Sequence, residues 1–370
     1  MEINRPTFVI DKNICLQNIE KMTQKAAKHG LHFRPHFKTH QSAEIGEWFR
    51  SFGVNAITVS SLQMANYFAS NGWDDITLAF PVNVLEINEI NKLAKKIKLN
   101  VLIENKEAAQ VLAEKITNPL GVYIKIDTGY NRTGIPATET GSLLYVLNAL
   151  TEGKKLNFKG FLSHAGHTYQ AKSTNEIFTR HFDAIFKLKA LKNRYKNEYP
   201  NLEVSIGDTP SCSICDNFDG VDEIRPGNFV FYDLMQQNLG VCNFDDIAVR
   251  VVCPVVAKHI SRNEIVIYGG AIHLSKEPII NINGKPMYGR IIVRRNGEPV
   301  LLEPLNYVHQ LSQEHGILKV THKEFESFHV GDLVELIPVH SCLTANLAKT
   351  YLTTEGETIK TSNTFVKSKS

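Results

Sequence analysis

Several features are scarce or absent in this sequence, and each absence narrows what the chain can be. No run of about 18 apolar residues occurs, so no segment reads as a membrane-spanning helix. The chain opens Met-Glu-Ile-Asn-Arg-Pro without an apolar signal core, and the expected location is the cytoplasm. No Lys/Arg block is present and the net charge is only +3, so nucleic acid is not an implied partner. Cysteine is sparse, with six residues at positions 15, 212, 215, 242, 253 and 342. Without an export signal these are expected as reduced thiols, not a disulfide framework. Cys212 and Cys215 form a Cys-x-x-Cys, but no second Cys/His pair follows at zinc-finger spacing, so coincidence is favoured over redox or zinc work. What remains is ordinary for a globular protein: 43% hydrophobic and 21% charged residues over a length of 370, enough for one large domain and a smaller one.

A strand-helix rhythm fills the first two thirds. Strand-like runs fall at 33–38, 56–60, 76–80, 100–103, 122–127, 158–164, 203–206 and 224–231. Most gaps between them carry helical patterns with apolar residues three and four apart, as in 62–70, 106–115 and 140–151. Such alternation implies parallel strands with right-handed crossovers, and eight units predict a (β/α)8 TIM barrel over 12–237. A doubly wound open sheet is the alternative. After Asn238 the helices disappear. Asn283-Gly284 and Asn296-Gly297 are hairpin signals between strand-like stretches. Residues 238–370 are therefore expected to form an antiparallel β domain, joined by residues 1–11.

One stretch stands apart from this scaffold: Arg34-Pro35-His36-Phe37-Lys38-Thr39-His40. Period-two alternation puts Arg34, His36 and Lys38 on one face, a costly way to fill a core. The stretch ends where a helical pattern begins, the place at which α/β folds put chemistry. An exposed edge strand with a solvated lysine fits the spacing equally well. Downstream, Gly207-Asp208-Thr209-Pro210-Ser211 has the composition of a phosphate cradle, and also of a plain turn. Arg225-Pro226-Gly227-Asn228 supplies a second glycine-containing loop at the eighth run, where barrels complete phosphate sites. His340-Ser341-Cys342, read as extended, would aim an imidazole and a thiolate at one cation, and that pairing suits zinc.

The Arg34–His40 motif resembles the cofactor-lysine strand of the alanine-racemase-like (fold-type III) pyridoxal phosphate enzymes, in the branch of D-serine dehydratases and D-threonine aldolases. Further matching segments follow in the same order. Asp127-Thr128-Gly129-Tyr130-Asn131-Arg132-Thr133-Gly134 is similar to the family's Asp-Thr-Gly-x-x-Arg-x-Gly, where the arginine reaches the cofactor ring region; without the resemblance, Arg132 reads as a solvated arginine or an Asp127 partner. Ser163–Tyr169 is similar to the segment that places a histidine and a tyrosine near the pyridine ring. Pro338-Val339-His340-Ser341-Cys342 is similar to the metal motif of D-serine dehydratases, where the aldolases more often carry aspartate at the place of Cys342.

The resemblance implies an alanine-racemase-type barrel with pyridoxal 5'-phosphate held by Lys38, whose free amine would take the substrate's Cα proton, with nearby Arg34 helping to keep that amine neutral. It assigns Arg132, His164 and Tyr169 to the cofactor, and the two glycine-containing loops above offer Thr209, Ser211, Gly227 and Asn228 for its phosphate. It assigns His340 and Cys342 to a divalent metal, zinc first and manganese or magnesium next. The implied substrate is a D-β-hydroxy amino acid, the reaction dehydration of D-serine, and the assembly a homodimer. Retro-aldol cleavage is the alternative, and racemisation on the same scaffold a further one, although the tyrosine segment that racemases use as second base has no convincing match here. A non-catalytic pyridoxal-phosphate-binding barrel would lack the β domain and the His340/Cys342 pair.

Overall fold

The computed structural model describes residues 3–364, which divide into two compact units. One unit holds Ile19–Lys38 and Gly46–Phe229. The other holds the described residues up to Asn18, the short insert Thr39–Ile45, and those from Val230 onward.

The first unit is built on eight parallel strands: β1 (His32–Phe33), β2 (Ile57–Val59), β3 (Asp75–Pro81), β4 (Lys98–Ile103), β5 (Leu120–Asp127), β6 (Leu156–Leu162), β7 (Glu203–Ile206) and β8 (Glu223–Ile224). Neighbours follow chain order from β2 to β8, and β8 pairs with β1. The ring closes just beyond β1, where His36 bridges Thr58 and the amides of Phe37 and Thr58 donate to the carbonyls of Thr58 and Pro35. The expected barrel is thus present. Its outer layer follows from local sequence. Ser61 and Asn105 cap Leu62–Ser70 and Lys106–Lys115 through their side chains, and Leu62, Ala65 and Phe68 turn inward at helical spacing.

Two strands are shorter than the apolar pattern suggests. The 224–231 run stops after Ile224, because Pro226 and Gly227 interrupt the ladder and a 3-10 turn follows at Asn228–Val230. The 33–38 run keeps one ladder residue, Phe33, next to His32, and then the single His36 bridge, with Pro35 unable to donate.

The second unit is an antiparallel sheet around Val249–His259, which pairs with Thr7–Ile10 on one side and Leu333–Pro338 on the other. At Asn296-Gly297 both residues have positive φ, 53° and 86°, as a tight hairpin between Gly289–Arg295 and Glu298–Leu301 requires. Asn283-Gly284 turns the small hairpin of Ile279–Ile280 and Pro286–Met287. Leu333–Pro338 runs directly into the helix Ser341–Leu347, and the junction carries His340. Among the described residues no helix is long and apolar enough to cross a membrane.

Candidate active site

Parallel strands end on one rim, and alternation decides which side chains face the barrel interior. In register, Lys125 lies beside Leu162, Leu162 beside Ser205, and Ser205 beside Glu223. Below the rim this interior is ionic. Arg34 Nε lies 2.6 Å from Glu223 and its Nη1 2.5 Å from Asp75. Ser205 donates to Glu223 at 2.6 Å and accepts from Arg225 Nε at 2.6 Å. Arg34 is therefore engaged by two carboxylates, and the cations felt by the rim histidines belong to other residues.

Lys38 is exposed in the turn that follows His36, and its backbone N–H donates to His36 Nδ1 at 3.4 Å. Burial pushes the His36 pKa well down, and Lys38, Arg225, His164 and Arg132 push the same way. His164 is lowered by burial and then by Lys125, Lys38 and Arg132. Both rings are neutral at neutral pH. His164 Nδ1 bonds the Gly207 carbonyl, which can only accept, so the proton sits on Nδ1 and Nε2 keeps its lone pair. Burial also lowers Lys125, with Arg225 and Arg132 beside it and only partial relief from Asp127 and Glu104. The rim is electropositive and suits an anionic guest.

The cradle expected at 207–211 sits between β7 and the short helix Thr209–Ile214. Asp208 caps that helix, accepting from the Ser211 amide at 2.8 Å and from Thr168 Oγ1 at 2.9 Å. Gly207 is required, since a Cβ there would lie 2.9 Å from the Arg225 carbonyl oxygen. The hydroxyls of Thr209 and Ser211 are buried with no hydrogen-bond partner among the described residues. Two such donors cost stability unless something fills the space before them, and phosphate oxygens would do so. Tyr169 Oη accepts from the Thr209 amide at 3.2 Å, and its ring centroid is 6.2 Å from that of His164. The next loop carries Gly227 and buried Asn228, and its Pro226 carbonyl accepts from His36 N at 2.9 Å, beside the Lys38 turn. Lys38, His164, Tyr169, Thr209, Ser211, Gly227 and Asn228 thus gather at one end of the barrel. Arg132 joins them electrostatically and lies over the Tyr130 ring at 4.9 Å. Asp127 is not its partner: the carboxylate accepts from the amides of Gly129, Tyr130 and Asn131 at 2.8–2.9 Å and holds the loop. The donors, the positive field and the amine fit pyridoxal phosphate.

His340 and Cys342 converge, though not on the extended segment expected from their spacing. His340 precedes the first turn of Ser341–Leu347 and Cys342 lies inside that turn. His340 Nδ1 is 2.5 Å from Glu277 Oε2, and Thr39 Oγ1 is 3.3 Å from Cys342 Sγ. Burial would lower the His340 pKa, but hydrogen bonds to Cys342 and Glu277 and the charge of Cys342 push it up to about 11. Surroundings that hold a proton on this ring so firmly would hold a divalent cation in its place. Nitrogen and thiolate donors fit a metal of the zinc class, and two protein ligands would leave coordination positions for water and substrate.

Cys212 and Cys215 are free and buried, with burial raising both thiols, Cys215 to about 12, so neither is poised for redox or zinc work. Lys125, Arg225, Thr39 and Glu277 stand beside these groups without having been expected there from the sequence. Lys125 and Arg225 carried a usable signal, a charged residue at an inward position of a buried strand. Glu277 carried none.

Comparison with known proteins agrees with this geometry. The family described as "Alanine racemase, N-terminal domain" matches residues 10–234, and that described as "Putative serine dehydratase domain" matches residues 248–354. A D-serine dehydratase of Dictyostelium discoideum is 31% identical, covering 94% of this chain and 93% of its own. The structure of a D-threo-3-hydroxyaspartate dehydratase from Delftia sp. HT23 superposes with a TM-score of 0.88 at 26% identity, covering 97% of both chains. A cysteine-to-alanine mutant of a D-threo-3-hydroxyaspartate dehydratase, described as the metal-free form, gives 0.89 at 25% identity, again over 97% of both. The chain belongs to the alanine-racemase-like pyridoxal phosphate enzymes, in the lyase branch that contains the D-serine dehydratases and D-threonine aldolases.

Proposed function

We propose that this enzyme dehydrates D-serine, or a closely related D-β-hydroxy amino acid, with pyruvate and ammonia as the products from D-serine. The observation that carries the reading is the Cys342 sulfur beside the His340 imidazole, in a chain that resembles a D-serine dehydratase over nearly its whole length.

Lys38 Nζ would hold the cofactor and, as a free amine, would take the Cα proton. Thr209 and Ser211 would donate their hydroxyls to the phosphate, with Gly227 and Asn228 beside it. His164, neutral and fixed by the Gly207 carbonyl, presents an uncharged ring beside Tyr169, while Arg132 keeps the rim positive. His340 Nε2 and Cys342 Sγ would hold the divalent cation, which we assign as zinc from the softness of the donors. Bound pyridoxal phosphate supplies an electron sink at Cα, and the bound cation supplies Lewis acidity at the β-hydroxyl.

We further infer a homodimer. Leu343 and Leu347 lie one turn apart on Ser341–Leu347 and are 43% and 42% exposed, an apolar face that a second copy would cover. We place the enzyme in a reducing compartment, the cytoplasm, as expected for cysteines scattered along the chain without a disulfide framework.

Incubation with D-serine and with D-threonine tests the reaction. Pyruvate and ammonia from D-serine are expected. Glycine and an aldehyde from D-threonine, with no pyruvate from D-serine, would replace this reading with the aldolase one. A product of inverted configuration that keeps its hydroxyl would make the enzyme a racemase.

A further inference from the structure

Glu277 is the other half of the His340 site. The carboxylate belongs to the loop after the short helix Ala271–Leu274, far from His340 in sequence. That loop is tied to the helix that bears Cys342. Thr344 Oγ1 donates to the Leu274 carbonyl at 3.0 Å. Ser275 then turns the backbone at φ 66°, and its hydroxyl accepts from the Glu277 amide at 3.4 Å. The carboxylate is thereby delivered to the ring, with Oε2 2.5 Å from Nδ1.

An ionised carboxylate accepts and cannot donate, so this contact keeps the ring proton on Nδ1. The lone pair that remains when a cation arrives is then on Nε2, at the opposite edge of the ring. A carboxylate engaged at Nδ1 is outside the coordination sphere, yet it sets the tautomer, the ring orientation and the basicity of the ligand.

Resting on the assignment of His340 and Cys342 as metal ligands, we propose that Glu277 is the positioning residue that makes His340 a metal ligand, and that the affinity of this enzyme for its divalent cation depends on it. Loss of such an outer carboxylate weakens metal binding by about 10–100-fold.

The test uses full-length holoenzyme, stripped with a chelator and retitrated with Zn²⁺ against a competing chromophoric chelator. Co²⁺ loading is followed in parallel by its thiolate charge-transfer absorption. Glu277→Leu removes the acceptor, Glu277→Gln keeps an acceptor oxygen without the charge, and His340→Ala removes the ligand. His340→Ala should lose tight binding. Glu277→Leu should still reach one cation per chain with the cobalt–thiolate band intact at saturation, but with affinity weaker by about 10–100-fold. Glu277→Gln should fall between Glu277→Leu and the wild type. Glu277 is 37% exposed at its side chain, so these variants are expected to fold. Wild-type affinity in Glu277→Leu, together with lost binding in His340→Ala, overturns the positioning role while leaving the ligands standing. Wild-type affinity in His340→Ala overturns both.

Discussion

Thr39 Oγ1 lies 3.3 Å from Cys342 Sγ, although 303 residues separate them in the chain. Thr39 belongs to the same compact unit as Cys342, in the short insert Thr39–Ile45, and it directly follows Lys38. Its hydroxyl can donate to a sulfur that is a thiolate, the form that binds metal. Thr39→Val keeps the shape and removes that donor. A hydrogen bond to a charged group is worth about 1.5–3 kcal/mol, so the Cys342 thiol should become harder to ionise and its alkylation should move to higher pH. The pH dependence of Cys342 alkylation in chelated protein, read by peptide mapping, gives the answer. An unchanged profile would show that the hydroxyl does not support the sulfur.

Lys38→Ala should remove the covalent anchor for pyridoxal phosphate. Borohydride reduction followed by peptide mapping should find the pyridoxyl label on the Lys38 peptide in the wild type and nowhere in the variant. Lyase turnover should fall by at least about 10²–10⁴, the usual contribution of a positioned base alone. A label that stays bound elsewhere, with turnover intact, would remove Lys38 from this role.

The Thr209 and Ser211 hydroxyls make opposite predictions for the protein with and without cofactor. Each is buried without a partner among the described residues. In the protein stripped of cofactor, Thr209→Val should leave stability unchanged or raise it, because the hydroxyl it removes was desolvated for nothing. With pyridoxal phosphate, each of Thr209→Val and Ser211→Ala should weaken binding by about 1.5–3 kcal/mol, or roughly 10–150-fold, because the acceptor is charged. Affinity for pyridoxal, which has no phosphate, should not move. Equal losses for both ligands would mean that the two hydroxyls face something other than the phosphate.

Much of this was legible in the chain itself, for physical reasons. Parallel strands and their crossover helices carry period-two and period-3.6 patterns, so the barrel could be counted, and Asn296-Gly297 announced a hairpin that its two positive φ angles require. The eighth run misled because Phe229, Val230 and Phe231 are buried while lying in a turn, and an apolar run alone does not separate a strand from a buried loop. Arg34 has partners that its own neighbourhood in the chain does not foretell. Its position on the Lys38 face was readable, but Glu223 and Asp75, which absorb its charge, come from distant strands. Glu277 was invisible for the same reason: nothing in its neighbours foretells a histidine 63 residues later.

The Glu223 cluster makes stability depend on acid. Burial opposes ionisation of Glu223, yet the Arg34 charge and hydrogen bonds from His32, Ser205 and Arg34 hold its pKa down to about 2, against an ordinary value of 4.5. A carboxylate depressed in the folded state stabilises fully above its unfolded pKa and loses that contribution as pH falls through the folded one. The loss therefore runs from about pH 4.5 down to about pH 2 and amounts to roughly 3 kcal/mol. Urea midpoints at pH 7, 4 and 3 should fall in that order. In Glu223→Gln, which leaves Arg34 a single carboxylate, the midpoint should already be low at pH 7, by about 3 kcal/mol, and should change less with acid. A wild type that unfolds with the same midpoint at pH 3 as at pH 7 would remove this ion cluster from the stability of the fold.

Removal of the cation should split the reaction into two halves. If Lys38 takes the Cα proton and the cation on His340 and Cys342 only assists departure of the β-hydroxyl, then His340→Ala, or wild type held in excess chelator, should still exchange the Cα hydrogen of D-serine with ²H₂O. Pyruvate formation in the same tube should fall by about 10³-fold or more, the several kcal/mol that a Lewis acid gives to a poor leaving group. Zinc added back to chelated wild type should restore pyruvate, and zinc added to His340→Ala should not. Mass spectrometry of recovered D-serine reads the first step and a coupled pyruvate assay reads the second. Loss of exchange together with loss of pyruvate would mean that the cation acts earlier, in binding the amino acid. Full pyruvate formation under chelation would remove the metal from the chemistry altogether.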